Sequence, residues 1–277
     1  MNNNKFYEGN IATDLDEVKL PETVYKYRNW DNKEHQTIIK ERKVFFSPPS
    51  KFEDQLDCRN SARFDLLTKK QKVDLYRFRL KEDNPTMSRQ QARNDARKWA
   101  KKGPLNSKKH LDQIADEDFK EFDSIFGVLS LTANPKSKEM WESYGNVHKG
   151  FCVGFNPKVA FQYFGGGGKV KYVTQLPAIM PRPINTFEEQ HILRVFYKLA
   201  KWGFEEEYRI HKTYMHQANK ADRTVSLPTN AYKEIIIGAL AEEKTKKDIV
   251  EIAKVALPEV KILQAVLKDE TIVLNEA

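Results

Sequence analysis

Strand-like segments lie on both sides of residues 60–123, but inside that stretch the chain turns rich in Lys, Arg, Gln, Asp and Ala and loses nearly all β-branched runs. This break constrains the fold more than any other feature. A sheet has to be assembled from segments before and after it, and the interruption, punctuated by Pro85 and Gly103-Pro104, reads as a helical insertion into one domain. Within the insertion Ala92, Ala96, Trp99 and Ala100 make a narrow apolar stripe. Arg89, Arg93, Arg97 and Lys101 recur every four residues on another face.

Around the insertion the spacing predicts an α+β domain over 23–277, preceded by a polar, Asn-rich arm over 1–22 that Pro21 closes. The first part reads as a strand over 23–28, a helix over 34–42 and a strand over 43–47, stopped by Pro48-Pro49. After the insertion come a strand over 127–132, a helix over 137–144 and a strand over 150–155. Gly165 to Gly168 reads as a flexible loop before a strand over 169–174. Thr186 with Glu189 is a capping-box signature, opening a helix whose buried stripe is Ile192, Val195, Phe196 and Leu199. Strands over 207–213, 235–237, 261–266 and 271–274 and a helix over 243–256 complete the expectation.

Charge sharpens the picture of the insertion. The chain carries 47 Lys and Arg against 39 Asp and Glu, a net +8, yet residues 68–110 alone hold 14 Lys and Arg against four Asp and Glu. The remainder is therefore near neutral, and the protein carries one basic module that implies an anionic partner. A ladder of cations rising about 6 Å per step matches the phosphate spacing of a single strand, so it can track a nucleic acid; an acidic protein would satisfy it equally.

Other classes fall away. No run of about 18 apolar residues occurs, so no membrane span is expected. Cys58 and Cys152 lie far apart in a chain without an N-terminal signal pattern, for which a reduced, cytoplasmic setting is the expectation. Gly165 to Lys169 is not a phosphate loop, because Val170 stands where Ser or Thr is required. His211 and His216 lack a supporting Cys pair, and no metal site is assigned.

The chemistry-bearing stretch is Trp202-Gly203-Phe204-Glu205-Glu206-Glu207-Tyr208-Arg209. In extended chain Glu205 and Glu207 project to one side and Glu206 to the other, so two like charges share a site. Such a pair suits a reaction with a cationic transition state, and oxocarbenium-like glycosidic cleavage is the leading example. A solvated acidic turn is the plain alternative. A nucleic-acid-binding effector that grips its partner through the insertion, either non-enzymatic or a metal-dependent nuclease with Glu205, Glu207 and Asp54 holding magnesium, is the other reading, and a non-enzymatic interaction module is a third.

Several further segments carry a resemblance. Tyr25-Lys26-Tyr27-Arg28, Phe46-Ser47-Pro48-Pro49-Ser50-Lys51-Phe52-Glu53-Asp54, Gly127 to Thr132, Met140-Trp141-Glu142-Ser143-Tyr144, His148 to Phe151, and Trp202 with Glu205, Glu207, Tyr208, Arg209 and Ile210 look like a bacterial family catalogued as domain of unknown function 2971. Glu53, Gln55 and Leu56 stand where that pattern has Asn, Pro and Phe. The order of elements is in turn similar to ADP-ribosyltransferases, which implies a split β-sheet core that binds NAD as substrate and transfers ADP-ribose to a macromolecule. By that resemblance Arg28 contacts the NAD diphosphate or ribose, and Tyr27, Ser47, Ser130 and Thr132 line the pocket. Trp141 or Tyr144 stacks on nicotinamide, Glu207 holds the ribose 2′-hydroxyl, and Glu205 orients the acceptor. The two resemblances together imply a toxin or phage-defence effector, with an antitoxin or regulator as a further partner. Glu207→Gln is expected to abolish turnover at an unchanged melting temperature, on the view that Glu207 is exposed in a cleft.

Overall fold

The computed structural model describes residues 5–269 and 271–276. Strands β1 (Lys5–Glu8), β2 (Ile11–Asp14) and β3 (Val24–Arg28) come first, followed by helix α1 (Lys33–Lys40) and strand β4 (Lys43–Phe45). The insertion supplies α2 (Lys69–Asp83), α3 (Arg89–Lys102) and α4 (Lys108–Ile125), the last running directly into β5 (Phe126–Thr132). Helix α5 (Lys138–Ser143), strand β6 (Phe151–Phe155), helix α6 (Pro157–Phe164) and strands β7 (Gly166–Lys169) and β8 (Lys171–Val173) follow. Then come α7 (Phe187–Val195), β9 (Tyr197–Leu199), β10 (Glu207–Thr213), α8 (Lys220–Arg223), β11 (Thr224–Ser226), β12 (Tyr232–Ile237), α9 (Glu243–Ala256), β13 (Lys261–Lys268) and β14 (Thr271–Glu276).

Ten of these strands form one mixed sheet in the order β14-β13-β12-β6-β3-β5-β10-β7-β1-β2. Strand alternation divides the core between its two faces. Phe151, Val153, Phe155, Ile235 and Ile237 pack on one side with Ile38 and Ile39 of α1 and Ile249 and Ala253 of α9. Cys152 and Ile236 point to the other, against Trp141, Met140, Tyr25 and Tyr27.

The sheet is nearly parted in the middle. Strand β3 follows β6 over five residue pairs, but toward β5 its only register partner is Tyr25 with Thr132. Farther along β5, Val128 is bridged to Ser47 instead, through Ser47 N to Val128 O and Val128 N to Ser47 O, both 2.9 Å. The gap left between β3 and β5 is where the candidate site lies.

Three expectations are corrected by this architecture. Residues 5–14 of the supposed arm are a hairpin on the sheet: β1 pairs with β2 and, in parallel, with β7, and the Phe6 ring is buried edge-on against Phe161 at 5.5 Å. The partner of β1 is the glycine run, which is therefore a buried strand and not a flexible loop. A Cβ on Gly167 would meet the Arg209 carbonyl oxygen and the Phe161 ring, so the glycines serve close packing between neighbouring strands. Finally, the helix opened by the Thr186/Glu189 capping box ends at Val195; Phe196 caps it and Leu199 lies in β9.

The insertion is helical as expected and has a small core of its own, formed by Phe64, Leu67, Leu75, Tyr76, Ala96 and Leu105. Asn60 Nδ2 donates to the Leu193 carbonyl at 3.1 Å and Arg194 pairs with Asp118, which docks the insertion on α7.

Candidate active site in the split of the sheet

A cavity of about 390 Å³, within the usual size range of small-molecule sites, opens in the gap between β3 and β5. Its walls include Tyr27, Arg28, Ser47, Ser130, Thr132, Tyr144, Glu205 and Glu207, so eight of the nine residues expected in or beside the active centre come together. The ninth, Trp141, does not. Its indole is fully buried, donates to the Pro135 carbonyl at 2.9 Å and meets Tyr27 edge-on at 4.9 Å, so it is a core residue and cannot stack on a ligand in this cleft.

Glu205 and Glu207 do converge, though by a different route from the extended chain anticipated. Glu205 ends a 3-10 turn, Glu206 adopts φ 43° in the left-handed region, and Glu207 opens β10. The left-handed residue costs roughly 1–2 kcal/mol, and it swings the two flanking carboxylates onto the single ammonium of Lys198. That lysine forms a short ion pair with Glu205 and lies 3.5 Å from both Glu207 and Asp57. Glu206 turns outward and accepts from Asn134 Nδ2 at 2.9 Å.

Arg209, on the same face of β10 as Glu207, is buried to 0% exposure and grips both carboxylates beside it. Its Nε and Nη2 each lie 2.8 Å from an oxygen of Glu207, and its Nη1 donates to Asp57 Oδ1 at 2.9 Å. Asp57 comes from a tight turn in which Cys58 has φ 58°. Tyr172 accepts from the Glu207 amide at 2.9 Å, and Tyr144 donates to Glu205 Oε1 at 2.8 Å.

These surroundings push the two carboxyls apart. Burial and the neighbouring charge of Glu207 raise Glu205 above its usual range, while Lys198 and Tyr144 only partly offset them. Burial would raise Glu207 as well, but the Arg209 guanidinium and the Lys198 ammonium outweigh it and hold that carboxyl well below the usual range. A permanently ionised carboxylate therefore stands beside one that holds a proton more readily, the combination that separates charge stabilisation from proton transfer.

Two cations of β3 also line the cleft. Arg28 is half-buried, and burial lowers its guanidinium to about 10. Its hydrogen bond is a long one, 3.4 Å from Nη1 to the Tyr27 carbonyl. Lys26, two residues earlier, also lines the cavity.

Sequence reasoning missed Lys198 and Asp57, and it gave Lys26 no role within the Tyr25-Lys26-Tyr27-Arg28 motif. Arg209 was quoted in the motif but given no role, although its i, i+2 spacing from Glu207 already puts the two on one strand face. The basic ladder is fully displayed as expected, with Arg89, Arg93, Arg97 and Lys101 all exposed on α3, but none of the four lines the cleft. The magnesium set does not fit. Glu205 and Glu207 already hold an ammonium and a guanidinium, Asp54 faces Lys201 at 4.0 Å, and no group of three metal-ligating side chains converges among the described residues.

Against known protein families, curated proteins and solved structures the chain gives no match. Among the described residues no helix is long and apolar enough to cross a membrane.

Proposed function

We propose that the protein is an ADP-ribosyltransferase that takes NAD in the split of its sheet and transfers ADP-ribose to a macromolecule, a nucleic acid in preference to a protein. One observation carries this reading. A single cavity joins a half-buried arginine, which has no acidic partner among the described residues, to a pair of carboxylates whose proton affinities are driven in opposite directions.

In this reading the Arg28 end receives the diphosphate and the Glu205/Glu207 end receives the nicotinamide ribose. The bond from ribose C1′ to nicotinamide nitrogen breaks, and nicotinamide leaves with the bonding electrons. Glu207, held ionised by Arg209 and Lys198, stabilises the oxocarbenium-like charge that develops. Glu205, the weaker acid, takes the proton from the acceptor oxygen or nitrogen as that atom bonds to C1′. Tyr144 fixes the Glu205 carboxylate and closes the wall beside it. The exposed cations of α3 would hold a polyanionic acceptor. A role as a toxin or phage-defence effector follows the family and fold resemblances rather than the geometry.

The test is incubation of purified protein with NAD labelled in the adenylate half, in lysate before and after nuclease treatment, following nicotinamide release and label transfer. Transfer to a nuclease-sensitive acceptor is expected. No NAD consumption in either lysate would overturn the reading.

A further inference from the structure

Strand β3 presents Val24, Lys26 and Arg28 on one face. Val24 is fully buried in the main core, but the two residues that continue its face are cations that stop at the cavity wall. Lys26 Nζ donates to the Ser130 carbonyl at 2.8 Å, and Arg28 reaches only the Tyr27 carbonyl at 3.4 Å. Ser130 lies where continued β3–β5 pairing would have placed a ladder partner, so the ammonium satisfies a carbonyl that the split exposes. Neither cation is in an ion pair among the described residues. Two partly buried cations side by side, with no carboxylate at ion-pair distance among the described residues, repel each other at a cost in free energy.

We propose that Lys26 and Arg28 together form a receptor for a phosphoryl group, and that this receptor takes up a proton on Lys26 when the anion binds. Their Cα atoms are two strand steps apart, roughly 6.6 Å, a span that one phosphate or a diphosphate bridges. The inference deepens the reading above and rests on it only for the identity of the anion.

The charges around Lys26 favour such uptake. Burial and then Arg28, on its own strand, lower the ammonium to about 7, with Lys198 of β9 acting in the same direction. Glu207 of β10 and Glu205 act in the opposite direction. The Cys152 thiol of β6 is held neutral by burial, and His35 of α1 is pushed down to about 4, first by burial and then by Arg28, so neither adds charge near pH 7. An anion seated between Lys26 and Arg28 would reverse the local sign and favour the charged amine.

The experiment is a carbon-13 titration of the lysine ε-carbons, with the Lys26 resonance assigned by its loss in Lys26→Arg. The two probes are sulfate, which does not itself titrate in this range, and ADP-ribose. With no probe added, Lys26 is expected to titrate near pH 7, well below the other lysines. Its midpoint is expected to move up by about one pH unit or more with either probe, the rise vanishing in Arg28→Met and returning in Arg28→Lys. A rise with sulfate but not with ADP-ribose would leave the receptor standing and count against NAD as its ligand. No rise with either probe, an equal rise at every lysine, or a rise undiminished in Arg28→Met would overturn the receptor, whatever the protein does to NAD.

Discussion

Arg209 holds Glu207 by both carboxylate oxygens, at 2.8 Å from Nε and 2.8 Å from Nη2, with both side chains almost wholly removed from solvent. Glu207 is therefore a structural charge as well as a candidate catalytic one, and the view that it is exposed in the cleft, on which an unchanged melting temperature was expected, is corrected. Removing one member of a buried pair leaves the other charge uncompensated. Asp57 softens the loss by keeping its own grip on Arg209. Glu207→Gln should cost about 3 kcal/mol and lower the melting temperature by roughly 6–12 °C, read by calorimetry. An unchanged melting temperature would show that the pair contributes little.

Acid should weaken the fold through two histidines that face each other in an aromatic box. The rings of His191 and His211 are 4.6 Å apart and surrounded by Tyr7, Phe126 and Phe196, and His191 Nε2 and His211 Nδ1 have no hydrogen-bond partner among the described residues. Burial lowers them from 6.5 to about 4 and about 3, with Arg194 adding to the effect on His191 and His191 to that on His211. Below pH 6.5 the unfolded chain binds protons that the folded one refuses, so stability falls as pH drops until the folded values are reached. The slope is up to about 1.4 kcal/mol per pH unit for each histidine. Urea midpoints measured through this window should decline, and His211→Phe should flatten the decline. A midpoint that does not change between neutral pH and pH 5 would contradict the assignment.

The cation ladder makes a separate prediction. Because Arg89, Arg93, Arg97 and Lys101 are exposed, replacing them with Ser should change stability by no more than about 0.5 kcal/mol in each case. If α3 tracks a phosphate backbone, each replacement should reduce the slope of log affinity against log salt by roughly 0.7 to 0.9. Fluorescence anisotropy with single- and double-stranded oligonucleotides measures both. Unaltered binding in the fourfold variant would remove α3 from the acceptor site.

How much of this was legible beforehand depended on how local each feature was. Strand β10 and helix α9 were readable residue for residue because their patterns are complete within their own spans. The capping box of Thr186 and Glu189 fixed where α7 begins, but its end depended on β9 pairing with β8, which no local signal announces. The β1–β7 pairing was hidden for the same reason: a four-residue strand and a glycine run look like an arm and a loop until each supplies the other's hydrogen bonds. In the site, Glu205 and Glu207 were visible as a motif. Lys198 and Asp57 were not, since only the folded chain brings them to the same carboxylates. Trp141 was misjudged because an aromatic residue near a ligand motif and an aromatic residue filling the core read alike.

The most direct measurement compares NAD turnover in wild type and Glu205→Gln, followed as label transfer in the same lysate, with the melting temperature of each protein recorded alongside. Glu205 repels Glu207 across Lys198, and Lys198 keeps Glu207 and Asp57 as partners when Glu205 is neutralised. Stability should therefore hold to within about 1 kcal/mol while transfer falls by about 100-fold or more, the scale of a lost general base. Equal transfer by the two proteins at equal stability, or no NAD consumed by the wild type, would contradict the account.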